Sequence, residues 1–381
     1  MAGGIRRMSS INTFQFKVDA GRHERINCPV SYNLDQAAAD LLGVPGPVAM
    51  KDEAGREIPA QIRRGPKGYV LHFIIDRLQA GTGKTFTVAP GKGDSAHGTV
   101  ELAEENGRLQ VTVNGEYFTT YVYDRSVAKP YLGPIIGPNG KSYTRLDFET
   151  KEHPHHRSLW LAIGDVNGID MWNEPEGRYG KQLHQQFEEL TSGPACAVFT
   201  ARNVWASFNE KPQIDETRTI TIYNTPANGR IVDVEVMFEA NYGQVEFGAT
   251  KEAGPLGIRV AESMKAANGG TIINSYGSIG EEECWGQKAE WCDYYGPVDG
   301  HTLGIAAFDH PQNEHYPTYW HIRNYGLHAA NNFYFAGGKL LKPGDKAFFR
   351  YRVFFHEGDT NQAKVADRYQ DYIHPPKVEK V

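Results

Sequence analysis

No apolar run in this chain approaches the roughly 20 residues that cross a bilayer, and no membrane partner is expected. The opening MAGGIRRMSSINTFQF carries two arginines but no apolar h-region, so it does not read as a secretory signal, and a cytoplasmic location is the default. The four cysteines, Cys28, Cys196, Cys284 and Cys292, include no CxxC pair, which argues against a disulfide framework and a cysteine zinc site. Charge of one sign is also lacking. The net charge of −6 is spread over interspersed Lys, Arg, Asp and Glu, so no nucleic-acid groove is expected. A P-loop, a Rossmann glycine fingerprint, a GxSxG elbow and HExxH are all missing, which argues against nucleotide-driven, serine-hydrolase and zincin chemistry.

Aromatic residues, in contrast, make up 12% of the chain and accompany 41 Gly and 21 Pro, a composition that favours a turn-dense β architecture. FQFKVDA alternates with period two, RINCPVSYNL follows, and GYVLHFIIDRL is strong strand material. These form a small N-terminal β domain over residues 1–98, ending in a polar linker over 89–98. Beyond it, Asn114-Gly115 between two alternating runs signals a hairpin. In ETRTITIYNTPANGRIVDVEVMFEA, Val232, Val234, Val236 and Phe238 line one face. Only residues 361–373 show helical spacing, which predicts a helix docked on a sheet edge. The expected class is all-β: a large antiparallel sandwich over 99–381, with that C-terminal helix and scope for a homo-oligomer.

The chemistry-bearing residues concentrate after residue 150. His153, His155, His156 and Arg157 fall together in HPHHR, and Pro154 places this motif on a loop entering the strand SLWLAI. His153 and His155, with a third ligand from elsewhere, could hold Zn²⁺, Mn²⁺ or Ca²⁺. A metal-free catalytic histidine, His155 or His156, is the competing reading. Arg157 would keep a neighbouring imidazole neutral and fork onto a substrate, or else pair with Asp165 or Asp170. Asp165 and Asn167 in GDVNG read as a turn cap. FGATKEAGPLGIRV brings Lys251, Glu252 and Arg259 beside strands, and Glu252 is the best single candidate for a general base. Trp291, in ECWGQKAEWCDYYG, could stack on a sugar ring.

The segments KPYLGPIIGPNGKSYTRLDF, HPHHRSLWLAIGDVNGIDMW and DHPQNEHYPTYWHIRNYGLHAANNF together resemble the bacterial PmoA-like family over residues 100–358. The methane-oxygenase activity in that name belongs to membrane proteins and does not carry over. The resemblance implies a galactose-mutarotase-like supersandwich, a small carbohydrate substrate and a role in sugar catabolism. It places His153, His155, His156, Arg157, His321 and Asn331 in the matching motifs. The expected function is cleavage of an oxidised, 3-keto glycoside by acid/base elimination or hydrolysis. His155 or Glu252 would act as base, and another histidine, such as His321, as acid. A mutarotase or epimerase and a non-catalytic carbohydrate-binding module are the alternatives.

Overall fold

The computed structural model describes residues 13–44, 47–65, 67–93, 98–146, 152–252 and 254–381. Asp147 and Phe148 of the KSYTRLDF motif, Lys151, Ala253 and linker residues 94–97 therefore lie outside it. The chain divides into two units. The first takes the described residues up to Gly98, the short segment Gly193–Cys196 and the tail His374–Val381.

In that first unit, a five-stranded sheet runs in the order Lys377–Lys380, Phe14–Asp19, Gly83–Pro90, Val48–Asp52, Glu57–Ile58. A three-stranded sheet follows the order Arg25–Asn33, Gly68–Leu78, Ala60–Gly65. FQFKVD alternates buried and exposed residues, as one solvated face demands. Phe16 meets Phe73 at 5.4 Å and Phe86 at 5.7 Å in the core.

The second unit is a supersandwich of two eight-stranded antiparallel sheets. The first sheet is ordered Tyr319–Ile322, Leu327–Asn331, Leu256–Arg259, Leu159–Leu161, Tyr131–Leu132, Glu116–Val122, Arg108–Val113, Val100–Glu105. The second is ordered Lys181–Thr191, Cys196–Ala206, Pro212–Tyr223, Gly229–Glu239, Lys346–Glu357, His301–Phe308, Trp291–Val298, Thr271–Asn274. One core lies between them, with Leu109, Val111, Leu161 and Ile258 from the first sheet meeting Ile220, Val234, Ile305 and Tyr351 from the second. Asn114 and Gly115 take positive φ at the expected hairpin, and Val232, Val234, Val236 and Phe238 are all buried.

The C-terminal helix spans Val365–Ile373 and does not dock on a sheet edge. Tyr369 packs against Phe308 at 5.7 Å, and the Arg352 guanidinium stands 4.6 Å over Tyr372. Both partners belong to inner strands, so the helix covers the outer face of the second sheet.

Candidate active site

The outer face of the first sheet carries the site, and strand register explains its shape. Hydrogen-bonded neighbours place His321, Ala329, Gly257, Trp160 and Tyr131 in one row across five strands. Side chains in such a row share a face. Ala329 and Gly257 leave the middle of the row almost bare, while His321 and Trp160 stand on either side. They are three strand spacings, roughly 14 Å, apart. The strip between His321 and Trp160, the trough, is thus floored by small residues and covered at Gly257 by the Trp160 ring, with Ala329 and Trp160 both buried. A Cβ at Gly257 would sit 2.6 Å from the Trp160 ring, so this position tolerates no side chain without moving that wall. In the next row Arg323, Leu327 and Arg259 follow the same order.

Over this face the HPHHR loop builds a column of rings. His156 stacks on Trp160 at 5.2 Å, His153 on His156 at 4.9 Å and Tyr325 on His153 at 4.5 Å, with interplanar angles of 20°, 7° and 11°. His155 meets His156 edge-on at 4.6 Å and His153 edge-on at 5.8 Å. The loop is pinned by cations. Arg145 Nη2 donates to the Glu152 and His153 carbonyls at 2.8 and 2.9 Å. Arg259, fully buried, donates to His156 Nδ1 at 3.1 Å and to Glu152 at 3.3 Å, and its guanidinium lies 4.9 Å from the Tyr325 ring. His153 and Ser158, at the two ends of the motif, have φ of +50° and +62°, and Glu174 has +55°. Each such residue costs on the order of 1 kcal/mol and persists only where its surroundings hold it.

Burial among these cations keeps the imidazoles neutral. It drives His155 down to about 3, with Lys129, His153 and Arg157 adding to the effect. His321 falls to about 3 through burial and the Arg323 and Lys251 charges, and His156 falls further through burial, His155 and Arg259. His153 moves the same way, through burial and Arg259. Burial raises Glu252, the one trough carboxyl among the described residues that moves in that direction, while Lys251 at 3.4 Å opposes the shift. Glu152 is held low, first by its hydrogen bond to Lys265.

The sequence-derived candidates sort into three groups. His153, His155, His156, Lys251, Glu252, Arg259 and His321 are brought together: Lys251 acts electrostatically on both His153 and His321, and His153 on His321. Arg157 and Asn331 lie in the same region as braces. Arg157 pairs with Glu174 at 2.5 Å, not with Asp165 or Asp170. Those two aspartates cap their own turns, Asp165 accepting from Gly168 N and Asp170 from Trp172 N and Asn173 N. Asn331 is buried, with Nδ2 donating to the Lys251 carbonyl at 2.8 Å and Oδ1 accepting from Tyr334 N at 3.0 Å. Trp291 is not part of the site. Cys292 and Tyr294 point into the core, so alternation sends Trp291 to the outer face of the second sheet, where it lines a cavity of about 360 Å³ with Asn274, Thr360 and Lys364.

Three contributors carried no signal in the sequence. Tyr325 ends the ring column, Glu174 is the partner of Arg157, and Lys129, fully buried, donates to Glu174 at 2.6 Å and to the Trp172 carbonyl at 2.7 Å. As to a metal, no group of three or more His, Cys, Asp or Glu side chains among the described residues is arranged to hold one. Buried polar atoms without a hydrogen-bond partner among the described residues gather here, including His153 Nδ1, Trp160 Nε1, Arg259 Nε and His321 Nδ1. Unsatisfied buried groups are rare in folded chains, so each of these atoms calls for a partner such as water or a ligand.

The model of a Family of unknown function (DUF6807) matches residues 108–370. The chain belongs to this family. The PmoA-like resemblance rests on the motifs alone. No curated protein matches the chain. Among solved structures, one similar chain is a protein in glycosyl hydrolase family 38 from Enterococcus faecalis, at 9% identity and a TM-score of 0.46, covering 97% of this chain and 47% of that one. An α-mannosidase from Enterococcus faecalis V583 is similar at 10% identity and 0.45, covering 97% and 46%. A GH36 α-galactosidase from Geobacillus stearothermophilus is similar at 12% identity and 0.36, covering 68% and 41%. The DUF6807 chain thus spans less than half the length of each, and at these TM-scores the likeness carries no argument about its activity. No helix among its described residues is long and apolar enough to cross a membrane.

Proposed function

We propose that this DUF6807 protein is a carbohydrate-active enzyme that cleaves 3-keto glycosides by elimination. The supporting observation is the cluster itself, in which Glu252, a carboxyl of raised pKa, pairs with Lys251, whose charge also acts on the neutral imidazoles of His153 and His321. An ordinary glycosidase needs two carboxyls facing the scissile bond. Of the other carboxyls here, Glu152 and Glu174 are engaged in ion pairs with Arg259 and Lys265 and with Lys129 and Arg157, and Asp170, whose charge acts on Glu252, caps the turn at Trp172 and Asn173. A ketone at C3 removes the need for a second carboxyl because it acidifies the C2 proton.

In this scheme Glu252 takes the C2 proton, and the electron pair becomes the enolate. The enolate collapses to a C1–C2 double bond as the C1–O bond breaks, and the carboxyl returns its proton to the departing oxygen. Water adding across the new double bond would complete a net hydrolysis. Raising the carboxyl pKa makes Glu252 a stronger base, which is what abstraction beside a ketone requires. The histidines change role from the acid expected above. With pKa values near 3 they carry no second proton at neutral pH, so a histidine acts as a neutral N–H donor to the ketone oxygen. His155, which is half-buried, is assigned this role, whereas His156 and His321 are buried positioning residues. Lys251 and Arg259 supply positive potential where the enolate forms. No step passes through a metal, and elemental analysis of the purified protein tests the His153–His155 metal expectation directly.

The deciding assay offers 3-keto-glucosides and the matching unoxidised glucosides to the purified protein. Release of the leaving group from the keto compounds alone is expected. Cleavage of the unoxidised series with the keto series left intact would sink the proposal. Accelerated interconversion of free-sugar anomers in a polarimeter, with no cleavage, would point to the mutarotase alternative.

A further inference from the structure

Trp291 has no part in the elimination, yet it stands at a second concave site. The cavity of about 360 Å³ lies where the strands Thr271–Asn274 and Trp291–Val298 meet the loop at Thr360 and the first turn of the helix Val365–Ile373. That volume falls near the lower end of the range for small-molecule pockets, about 300–1,000 Å³, and fits a ligand of one ring. Its walls are held from behind. Thr360 Oγ1 donates to Asp293 Oδ2 at 2.6 Å, and Asp293 Oδ1 lies 3.0 Å from His356 Nε2, with Asp293 and His356 both fully buried. On the strand side, Asn274 Oδ1 receives Tyr276 N and Ser278 N at 3.0 and 3.1 Å and shapes the turn that bears Ser275. The cavity is therefore formed before any ligand arrives.

The ligand class follows from the hydrogen-bonding capacity that the lining leaves unfilled. Trp291 is 7% exposed, and its indole N–H, which can only donate, makes no hydrogen bond among the described residues. Ser275 Oγ accepts from Glu290 N at 3.0 Å, so its hydroxyl proton is left to donate. Thr360 gives its proton to Asp293 and keeps lone pairs for accepting. The Asp367 carboxylate, an acceptor only, has no ion pair or hydrogen bond among the described residues, and Lys364 sets one positive charge against it. Spare donors, spare acceptors and balanced charge thus line one cavity beside an indole. We propose that this cavity is a second carbohydrate site and holds one neutral sugar ring. Each sugar hydroxyl both donates and accepts, and the ring's C–H groups can lie against the indole. An anion would use the donors but face the Asp367 carboxylate. An aromatic ring would strip water from these polar groups and return no hydrogen bond. The site is independent of the elimination, since Trp291–Val298 and the strand that follows the HPHHR loop belong to different sheets.

Ligand-observed NMR on the full chain separates binding from turnover. The probes are the methyl glycosides of glucose, galactose and mannose, inorganic phosphate and phenol, each offered to the parent protein and to Asp367→Asn. The Asp367 side chain has no partner among the described residues to lose, so the variant keeps its fold, which circular dichroism checks. At least one methyl glycoside is expected to bind, and Asp367→Asn to weaken it about tenfold, the loss of one hydrogen bond to a charged acceptor. Phosphate that outbinds every glycoside and gains affinity in Asp367→Asn overturns the proposal in favour of an anion site. Phenol binding without any glycoside overturns it as well, as does a cavity that takes none of the probes. Glycoside binding of equal strength in the two proteins puts the sugar elsewhere and overturns it too. Turnover of 3-keto-glucosides by Asp367→Asn should match the parent within about twofold. Failure of the elimination and failure of this site are therefore read from different experiments.

Discussion

Replacing Glu174 by Gln probes the charge arrangement beneath the HPHHR loop. Lys129 Nζ and Arg157 Nη2 stand 2.6 and 2.5 Å from the two Glu174 oxygens, with side chains 2% and 12% exposed. Removing one partner of a buried pair costs about 3–5 kcal/mol, because the remaining charge is left desolvated and unpaired. Glu174 keeps 17% exposure, which favours the lower end, about 3 kcal/mol. For a domain of this size that lowers the thermal midpoint at pH 7 by about 6–12 °C. The deficit must also depend on pH. Burial holds Lys129 at about 8, against 10.5 for a free lysine, with Glu174 opposing the shift. The unfolded chain therefore binds more protons between those values, and the contribution of Lys129 to stability rises with pH across that window. Without the Glu174 charge, Lys129 sheds its proton at still lower pH, so the gap between Glu174→Gln and the parent protein narrows from pH 7 to pH 9. A second variant controls for the backbone. Glu174 has φ +55°, so Glu174→Gly relieves strain of about 1 kcal/mol but removes the same carboxylate. Thermal melts of all three proteins at both pH values decide the matter. An equal deficit at pH 7 and pH 9, or a glycine variant more stable than the parent, refutes the reasoning.

Filling the trough floor by Gly257→Val should abolish turnover and also destabilise the fold, because its side chain begins 2.6 Å from Trp160; soluble, fully active protein would count against the trough. The raised pKa of Glu252 has two opposite consequences. Its folded state binds more protons than the unfolded chain above the ordinary 4.5, so its stabilisation is complete below that value and is lost as pH rises through the folded pKa. Activity should climb over the same interval as the carboxylate forms, and Glu252→Gln should remove that limb with a loss of about 10²–10⁴ in kcat. His155→Ala should lower kcat with an unchanged circular dichroism spectrum, whereas Trp291→Ala, on the other sheet, should leave kcat/KM within about twofold of the parent. A large kcat/KM loss in Trp291→Ala would move the site.

The all-β class and the strand positions were legible because alternation and turn chemistry act locally. Asn114-Gly115 needs only its own backbone to make a hairpin, and Pro154 alone forces HPHHR out of the sheet. The convergence of His153, His155, Lys251, Glu252 and His321 could be guessed from residue type. What remained hidden depends on register and facing. Trp291 looked like a sugar platform, yet a one-residue offset from Cys292 and Tyr294 points it away from the trough. The C-terminal helix showed its apolar stripe but not the sheet face that Phe308 and Arg352 provide for it. Lys129, in AKPYL, and Glu174, in NEPEG, lie in irregular segments without periodicity, and they meet only because the fold brings residues 45 apart in sequence to 2.6 Å.

The Asn331 carboxamide ties together two loops that do different jobs. One carries the Lys251–Glu252 pair, and the other carries the exposed rings of Tyr334 and Phe335. Since a single planar group sets the distance between them, neither loop can shift without the other, and a change at Asn331 reaches both at once.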